Sequence, residues 1–457
     1  MKRVLILGGG VMQLPAIQAA RDLRWRVTVV DGDPDCPGAA AADEFAHVDL
    51  KDSERLLAFG RDMKNGDGID AVFTAGTDFS SSVAYVAENL GLPGHSYNAA
   101  CNATDKARMR ACFRAAGLKQ PRSTTVSAGS STTEVSEAAE RIGFPLVVKP
   151  VDNMGARGVQ RVNDLAALHA AVAKGSNYSR SGTVQLEQFI QGPEFSIDAI
   201  VIHGDVEITG FADRHIYFAP FFVEMGHTIP TKLGPREQDL VTAEFTRGVR
   251  ALGLSHGSAK GDVFLGPDGP VVGEIAARLS GGYMSGWTYP YSSGVSLTQY
   301  ALQLAAGEDP DRAELAPQFH RVCGERAVIS IPGVVHSIDD DTSSVEGVET
   351  VFVRTKPGGS VAPPHNNVEK VGNIITVGPD HETVEKRSAE ALSRFRVRLQ
   401  PCRDETDRFL FGEGRRSIYA MYRLVEGQDI PLVFQPNYLN TLTESAGLKS
   451  DQIATVA

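Results

Sequence analysis

Three charged residues near one turn open a chemical reading. Asp262 lies in Lys260-Gly261-Asp262-Val263-Phe264-Leu265, and Glu274 in Gly273-Glu274-Ile275-Ala276-Ala277-Arg278. Between them, Gly266-Pro267-Asp268-Gly269 is a strong turn signal flanked by apolar runs. The stretch predicts a β-hairpin with its tip near Asp268. Asp262 and Glu274 are equally far from that tip, so in a regular hairpin they face each other at about 5 Å. Two carboxylates at that separation repel unless a cation lies between them. Strand alternation puts Glu274, Ala276 and Arg278 on one face, and Ser280-Gly281-Gly282 follows. Two acids and a guanidinium on one face suit Mg²⁺ and an anionic phosphate ester. An exposed charged turn uses the same residue types, so the rest of the chain has to discriminate.

The elements that must position this hairpin are legible in outline. Residues 1–95 alternate short apolar runs with helical patterns. Val4–Leu7 is a buried strand before Gly8-Gly9-Gly10. Leu14, Ile17, Ala20 and Arg21 follow as a helix. Val27–Val30 is a strand ending at Asp31, and Ala71–Thr74 is a later one. This predicts a parallel, doubly wound sheet. The glycines suggest a dinucleotide fingerprint, but Gln13 stands where its third glycine belongs. Asp31-Gly32-Asp33-Pro34 and Thr74-Ala75-Gly76-Thr77-Asp78 then read as loops at the carboxyl edge of the sheet, either substrate contacts or polar turns.

A helix capped by Asn102 or Thr104 carries Met109, Cys112, Phe113 and Ala116 on one face and ends at Gly117. Lys106 lies in its first turn, where the helix dipole disfavours a cation unless an anion is near. Phe144–Pro150 is a buried strand ending in Lys149. A lysine there reaches water or an anion. The following Asp152-Asn153-Met154-Gly155-Ala156-Arg157-Gly158-Val159 is a small glycine loop able to bring N–H groups to phosphates, without the lysine of a Walker loop. Val184–Ile190 and Phe195–Val201 predict antiparallel sheet, so the fold changes character by residue 184. Pro235 opens a helix with Val241, Phe245, Val249 and Leu252 inward and Gly253 as its cap.

Composition narrows the class. A chain of 457 residues holds several domains and a large core. A formal charge of −11 without a basic block argues against a nucleic-acid surface, and no apolar run is long enough to span a bilayer. The five cysteines are scattered, odd in number and without a CxxC pair, which reads as reduced packing residues of a cytoplasmic protein.

Assembled in order, Lys106, Lys149, the 155–158 loop, Glu187-Gln188-Phe189-Ile190, Gly192-Pro193-Glu194, Asp262, Glu274 and Arg278 resemble the ATP-grasp superfamily of ATP-dependent ligases. Gly8–Pro15 with Asp31–Pro34 is similar to that family's first domain, where the loop shapes the substrate side. The resemblance implies an α/β architecture: a Rossmann-like domain over 1–100, an ATP-grasp domain of two α+β subdomains over 101–310, and an α+β subdomain over 311–400. The last is expected to complete the sheet and to offer a homodimer contact. Residues 401–457 match no pattern, although Tyr419, Met421, Tyr422 and Leu424 suggest packing.

Residue by residue, the resemblance implies ATP phosphates at Lys106, Lys149 and the flap Gly155, Ala156, Arg157 and Gly158. Adenine falls at Glu187, Gln188, Phe189 and Ile190, and the ribose near Glu194. Mg²⁺, with Mn²⁺ as an alternative, falls at Asp262 and Glu274, and the acyl phosphate at Arg278. Many members carry a metal-binding Asn two residues after the glutamate; here Ala276 stands there. Pro220–Pro230 is similar to a loop of the L-amino-acid ligase branch, which makes Glu224 and His227 substrate candidates, with Asp213, Arg214 and His215 behind them. The expected reaction joins a small-molecule carboxylate to an amine through an acyl phosphate, releasing ADP and phosphate. In that reading Glu224 holds an ammonium group and His227 takes the amine proton. Bicarbonate or purine-pathway chemistry, and ATP binding without turnover, are the alternatives.

Overall fold

The computed structural model describes residues 1–401 and 403–411. Cys402 and the tail residues Tyr419, Met421, Tyr422 and Leu424 lie outside the described residues. The chain forms two compact units, each drawn from three stretches: Met1–Pro121, Ile190–Asp213 and Ile229–His320 in the first, and Arg122–Phe189, Arg214–Thr228 and Arg321 onward in the second.

In the first unit four parallel strands lie in the order Glu44–His47, Arg26–Asp31, Arg3–Leu7, Ala71–Phe73. Helices Leu14–Asp22, Ser53–Asn65 and Ser80–Leu90 follow or separate them in sequence. The glycine turn after the first strand is closed by its own protein. Asp31 accepts from Gly9 N–H at 2.6 Å, and the fully buried Gln13 accepts from Ala75 N–H at 2.8 Å while its amide donates back to the Ala75 carbonyl. Gln13 thus ties the glycine turn to the 74–78 loop. The acid and the missing third glycine are both spent on loop geometry.

A second sheet of this unit runs Gly269–Ala276, Gly257–Gly266, Glu194–Ile202, and the strand that begins at Asp205. Helix Pro235–Leu252 buries Val241, Phe245, Val249 and Leu252, and ends on Gly253 at φ +81°, as its caps and period predict. It seats on the hairpin through two glycines. A Cβ on Gly261 would stand 2.5 Å from the Phe245 ring, and one on Gly248 would stand 2.6 Å from Ile275. Burying a side chain such as Phe245 contributes about 1.5–3 kcal/mol. Residues 261 and 275 therefore face the helix, and 262 and 274 face the other way.

His95 pins the same unit. Its Nε2–H donates to the Ser258 carbonyl at 2.9 Å, and Nδ1 accepts from the N–H groups of Ser255 and His256 at 3.2 Å. Burial pushes its pKa down to about 4, from 6.5. Between those values the unfolded chain binds a proton that the folded chain refuses, so stability falls as pH drops from 6.5 to 4. The expected loss is about 3 kcal/mol. Urea unfolding at pH 7 and pH 4.5 should show this slope in wild type and a flatter one in His95→Gln, whose amide mimics the same donor and acceptor.

The second unit holds an antiparallel sheet in the order Ser123–Ser127, Thr183–Gln188, Leu146–Pro150, Gln160–Val162. Helices Thr132–Ile142 and Leu165–Tyr178 bury Val135, Ile142, Leu168 and Val172 in the same core as Leu146, Val148 and Leu186. The antiparallel character, read in the sequence as present by residue 184, is already there at Ser123. The helix containing Lys106 is likewise separate from its neighbour: Tyr97–Thr104 ends, Asp105 caps, and Lys106–Ala115 begins, with Asp105 accepting from Arg108 N–H. Asn102 and Thr104 belong to the preceding helix. In the second unit, Val322–Val328 lies beside Val223–Ile229, then come Gly372–Gly378 and Val348–Val353, so the later chain does extend a sheet begun earlier.

Cys36 and Cys323 are buried, and Cys101 and Cys112 half-buried, all as free thiols. Among the described residues no helix is long and apolar enough to cross a membrane.

Candidate active site

The hairpin forms with Asp262 directly opposite Glu274, but not as a regular ladder. Gly266 pairs with Gly269, so the turn has Pro267 and Asp268 at its tip, and Val263 pairs with Val272. Continued without interruption, that register would set Asp262 against Gly273 and turn Glu274 to the helix-facing side. A β-bulge between Val263 and Asp262 takes up one residue, Gly273, and restores the pair. A Cβ at Gly273 would lie 2.7 Å from the Phe264 ring and 3.0 Å from the Asp262 carbonyl, which is why glycine occupies the bulge.

Each carboxylate has a lysine. Lys106 Nζ lies 3.4 Å from Glu274 Oε1, and Lys260 Nζ donates to Asp262 Oδ2 at 2.5 Å. Lys260 is two residues before Asp262, on the same face, and its cross-strand neighbour is Ala276. The position that is alanine in place of a third oxygen ligand therefore faces a cation. Alternation along the strand already placed Lys260 there; only the acids were singled out in the sequence.

Beyond the strand, Arg278 Nη1 donates to the Leu279 carbonyl at 2.9 Å. The loop after it is held by Asp198, which is buried and accepts from Ser280 N–H at 2.9 Å and Ser280 Oγ at 2.6 Å. Burial pushes the Asp198 carboxyl up, against those two hydrogen bonds. Gly281 then approaches the 74–78 loop so closely that a Cβ would stand 3.0 Å from the Gly76 carbonyl. Within the first unit, the carboxyl-edge loop and the Gly-Gly loop thus come together beside Arg278. Glu194 begins the neighbouring strand, paired with Phe264.

The second unit carries the other predicted group. Lys149 Nζ lies 2.5 Å from Glu187 Oε2, and the Gln185 amide donates to Glu187 Oε1. Gln188 and Phe189 spend their N–H groups on the Arg122 and Pro145 carbonyls. The Phe189 ring lies 4.3 Å from the Arg161 guanidinium and 6.3 Å from the Phe222 ring. The glycine loop has the left-handed residues Gly155, Ala156 and Gly158, with φ of +65°, +59° and +74°. Arg157 Nε donates back to the Met154 carbonyl at 3.1 Å, and Gly155 carbonyl accepts from Asn367 N–H at 3.0 Å. The Arg157 N–H is spent inside the turn on the Met154 carbonyl at 3.3 Å, which leaves the N–H groups of its left-handed residues as those a tight turn can offer an anion.

Glu224 meets Arg214 on both oxygens, at 3.1 and 3.3 Å. Burial opposes its ionisation, but Arg214, Lys370 and the Arg214 hydrogen bond outweigh burial and hold the carboxyl well below the usual range. His227 does not present itself as a substrate-facing imidazole. It is 0 % exposed, with Nδ1 3.3 Å from Glu325 Oε2, and its carbonyl accepts from the buried Arg326. Asp213 is likewise occupied, by Thr231 Oγ1 and Lys232 N–H, and His215 Nε2 meets Thr228 Oγ1 at 2.9 Å. Arg214, which the sequence already set behind Glu224, is its clamp, whereas Glu325 and Lys370 were missed because nothing local marks their partners.

Residues 142–286 match the ATP-grasp domain family. The chain carries an ATP-grasp domain. Residues 327–400, after it, match L-amino acid ligase C-terminal domain 2. The ATP-grasp match includes Lys149, Glu187, Asp262, Glu274 and Arg278, while Lys106 precedes it. The chain is 28% identical over 390 residues to the uncharacterized protein y4rH of Sinorhizobium fredii, covering 82% of this chain and 79% of that one. It is 27% identical over 335 residues to carnosine synthase 1 of Gallus gallus, covering 68% of this chain but only 36% of that longer protein. In structure it is similar to the L-amino acid ligase of Bacillus licheniformis, with a TM-score of 0.77 and 26% identity over 88% of this chain and 99% of that one.

Proposed function

We propose that the chain is an ATP-dependent ligase that joins the carboxylate of one amino-acid-like molecule to the amine of another. The observation that carries the reading is the bulge-restored pair Asp262 and Glu274 within the ATP-grasp match. Two facing carboxylates are a fitting donor set for Mg²⁺, which takes one or two protein carboxylates, several waters and substrate phosphates. Mn²⁺ would be accepted by the same oxygens. Among the described residues no group of three or more His, Cys, Asp or Glu competes as a metal site. The bound cation would neutralise phosphate charge as the γ-phosphoryl group transfers.

As the ATP-grasp resemblance implies, Lys106, Lys149 and the N–H groups of Gly155, Ala156 and Gly158 would hold the phosphates of ATP, the Arg157 N–H being used internally. Glu187, Gln188, Phe189 and Ile190 receive adenine, the Ile190 N–H being the hinge donor since that of Phe189 is used internally. Glu194 meets the ribose. The substrate carboxylate attacks the γ-phosphorus, the bond to the β-phosphate oxygen breaks, and ADP departs. Arg278 stabilises the charge on the acyl phosphate. The ammonium of the amino substrate first gives one proton to water; the freed amine nitrogen then attacks the acyl carbon, the carbon–oxygen bond to phosphate breaks, and the second proton leaves with the phosphate. This balance needs no histidine base, which agrees with the burial of His227. Closure of the 152–159 loop keeps water from the intermediate.

Glu224, clamped by Arg214, can still accept from an ammonium group through its remaining lone pairs. Replacing Glu224 by Ala is therefore expected to raise KM for the amino substrate at least tenfold while leaving KM for ATP within about twofold. Equal effects on both would make this loop structural.

The deciding experiment measures phosphate release from ATP across a matrix of amino acids and other carboxylates, with product masses. An amide of two matrix members is the expected product. ADP release that depends on bicarbonate and needs no amine would move the chain to carboxyphosphate chemistry. ATP binding with no ADP formed anywhere in the matrix would sink the catalytic reading.

A further inference from the structure

We propose that Arg110 is a positioning residue for the carboxylate pair, acting through the backbone of the bulge. The inference rests on the reading of Asp262 and Glu274 as the metal carboxylates. A bulge breaks the exchange of ladder hydrogen bonds and leaves backbone groups to be satisfied elsewhere. Here the carbonyls concerned are those of Val272 and Gly273, the two residues that precede Glu274. Arg110 supplies both donors: Nη1 reaches the Val272 carbonyl at 3.1 Å and Nη2 the Gly273 carbonyl at 2.5 Å. Its side chain is 3% exposed, so water does not substitute for it.

Arg110 is one helical turn after Lys106, on the same face of helix Lys106–Ala115. That face therefore makes two contacts in register with the hairpin: an ammonium on the Glu274 carboxylate and a guanidinium fork on the two carbonyls before it. The fork matters for register. With Gly273 accommodated as an extra residue, Glu274 stands opposite Asp262; if the ladder closes up regularly, Gly273 takes that place and Glu274 turns away. Two parallel donors on adjacent carbonyls select the bulged geometry, because a regular ladder points successive carbonyls to opposite sides. Lysine at 110 has one ammonium and cannot match a planar fork on two acceptors.

The test uses the full chain and a complex of Mn²⁺ with a non-hydrolysable ATP analogue, followed by water-proton relaxation. Binding of the analogue alone is measured in EDTA by calorimetry, and thermal unfolding is recorded for each variant. Arg110→Met is expected to weaken the Mn²⁺–analogue complex about 10- to 100-fold, the range found for partners that orient metal ligands. The analogue alone should bind within twofold of wild type. Arg110→Lys should lie between, at about three- to tenfold, and carries the test if Arg110→Met does not fold. Unchanged Mn²⁺–analogue affinity in the lysine variant, or equal losses with and without the metal, overturns the proposal. Glu274→Gln separates the two levels. If it weakens the metal complex and the Arg110 variants do not, only this inference fails. If Glu274→Gln changes nothing, the metal reading itself fails.

Discussion

Replacing Glu274 by Gln is expected to abolish Mg²⁺-dependent ADP formation, lowering kcat by at least on the order of 10³-fold. The substitution is nearly isosteric, so the hairpin and its bulge should persist. What it removes is one of two facing negative charges, and with it the reason for a divalent cation to sit there. It also leaves Lys106 beside a neutral amide 3.4 Å away in place of a carboxylate. That costs stability, by about 1–3 kcal/mol, but this loss is readable separately by thermal unfolding. A folded variant without turnover, and with weakened Mn²⁺ binding, is the expected pair of results. Near-normal turnover would remove the hairpin from the active site.

Replacing Lys149 by Met should be the most destabilising change to a predicted site residue. Lys149 and Glu187 are 13% and 6% exposed in their side chains and 2.5 Å apart. Deleting the ammonium takes the neighbouring cation from a buried carboxylate that also accepts from the Gln185 amide. Breaking a buried pair from one side costs about 3–5 kcal/mol. Changing Glu187 to Gln in the same chain removes the buried charge that has lost its cation and should restore most of that stability. Nucleotide affinity should not return with it, because the phosphate-binding cation is still missing. Urea unfolding and nucleotide titration on the single and double variants separate the two roles. A double variant that binds ATP like wild type would confine Lys149 to the fold.

How far the sequence reached is clearest in the hairpin. Gly266–Gly269 announced the turn, and counting outward from Asp268 paired Asp262 with Glu274. The pair is right, but the count assumed a regular ladder about a tip residue. The actual turn has two tip residues, and the one-residue discrepancy is absorbed at Gly273. A glycine inside an apolar strand was the available signal for that bulge. Helix Pro235–Leu252 was legible to the residue because proline, period and glycine cap agree. The early onset of antiparallel sheet at Ser123 was not, because Ser123-Thr124-Thr125-Val126-Ser127 is too polar to announce a strand. Partners chosen by tertiary structure were also out of reach. No local pattern says that Gln13 will bind Ala75, that Arg214 will take Glu224, or that His227 will be sealed against Glu325.

The ion pairs on the hairpin face have a thermodynamic consequence. Asp262 and Glu274 are each neutralised in advance, by Lys260 and Lys106. A divalent cation arriving alone must compete with two resident ammonium groups for the same oxygens. Nucleotide phosphates change the competition, since they offer the lysines new anionic partners and free the carboxylates. Metal and ATP then each strengthen the binding of the other by the same factor, as reciprocity of linked equilibria requires. On the proposed function, an empty hairpin of this design would resist free divalent ions and admit them together with the nucleotide.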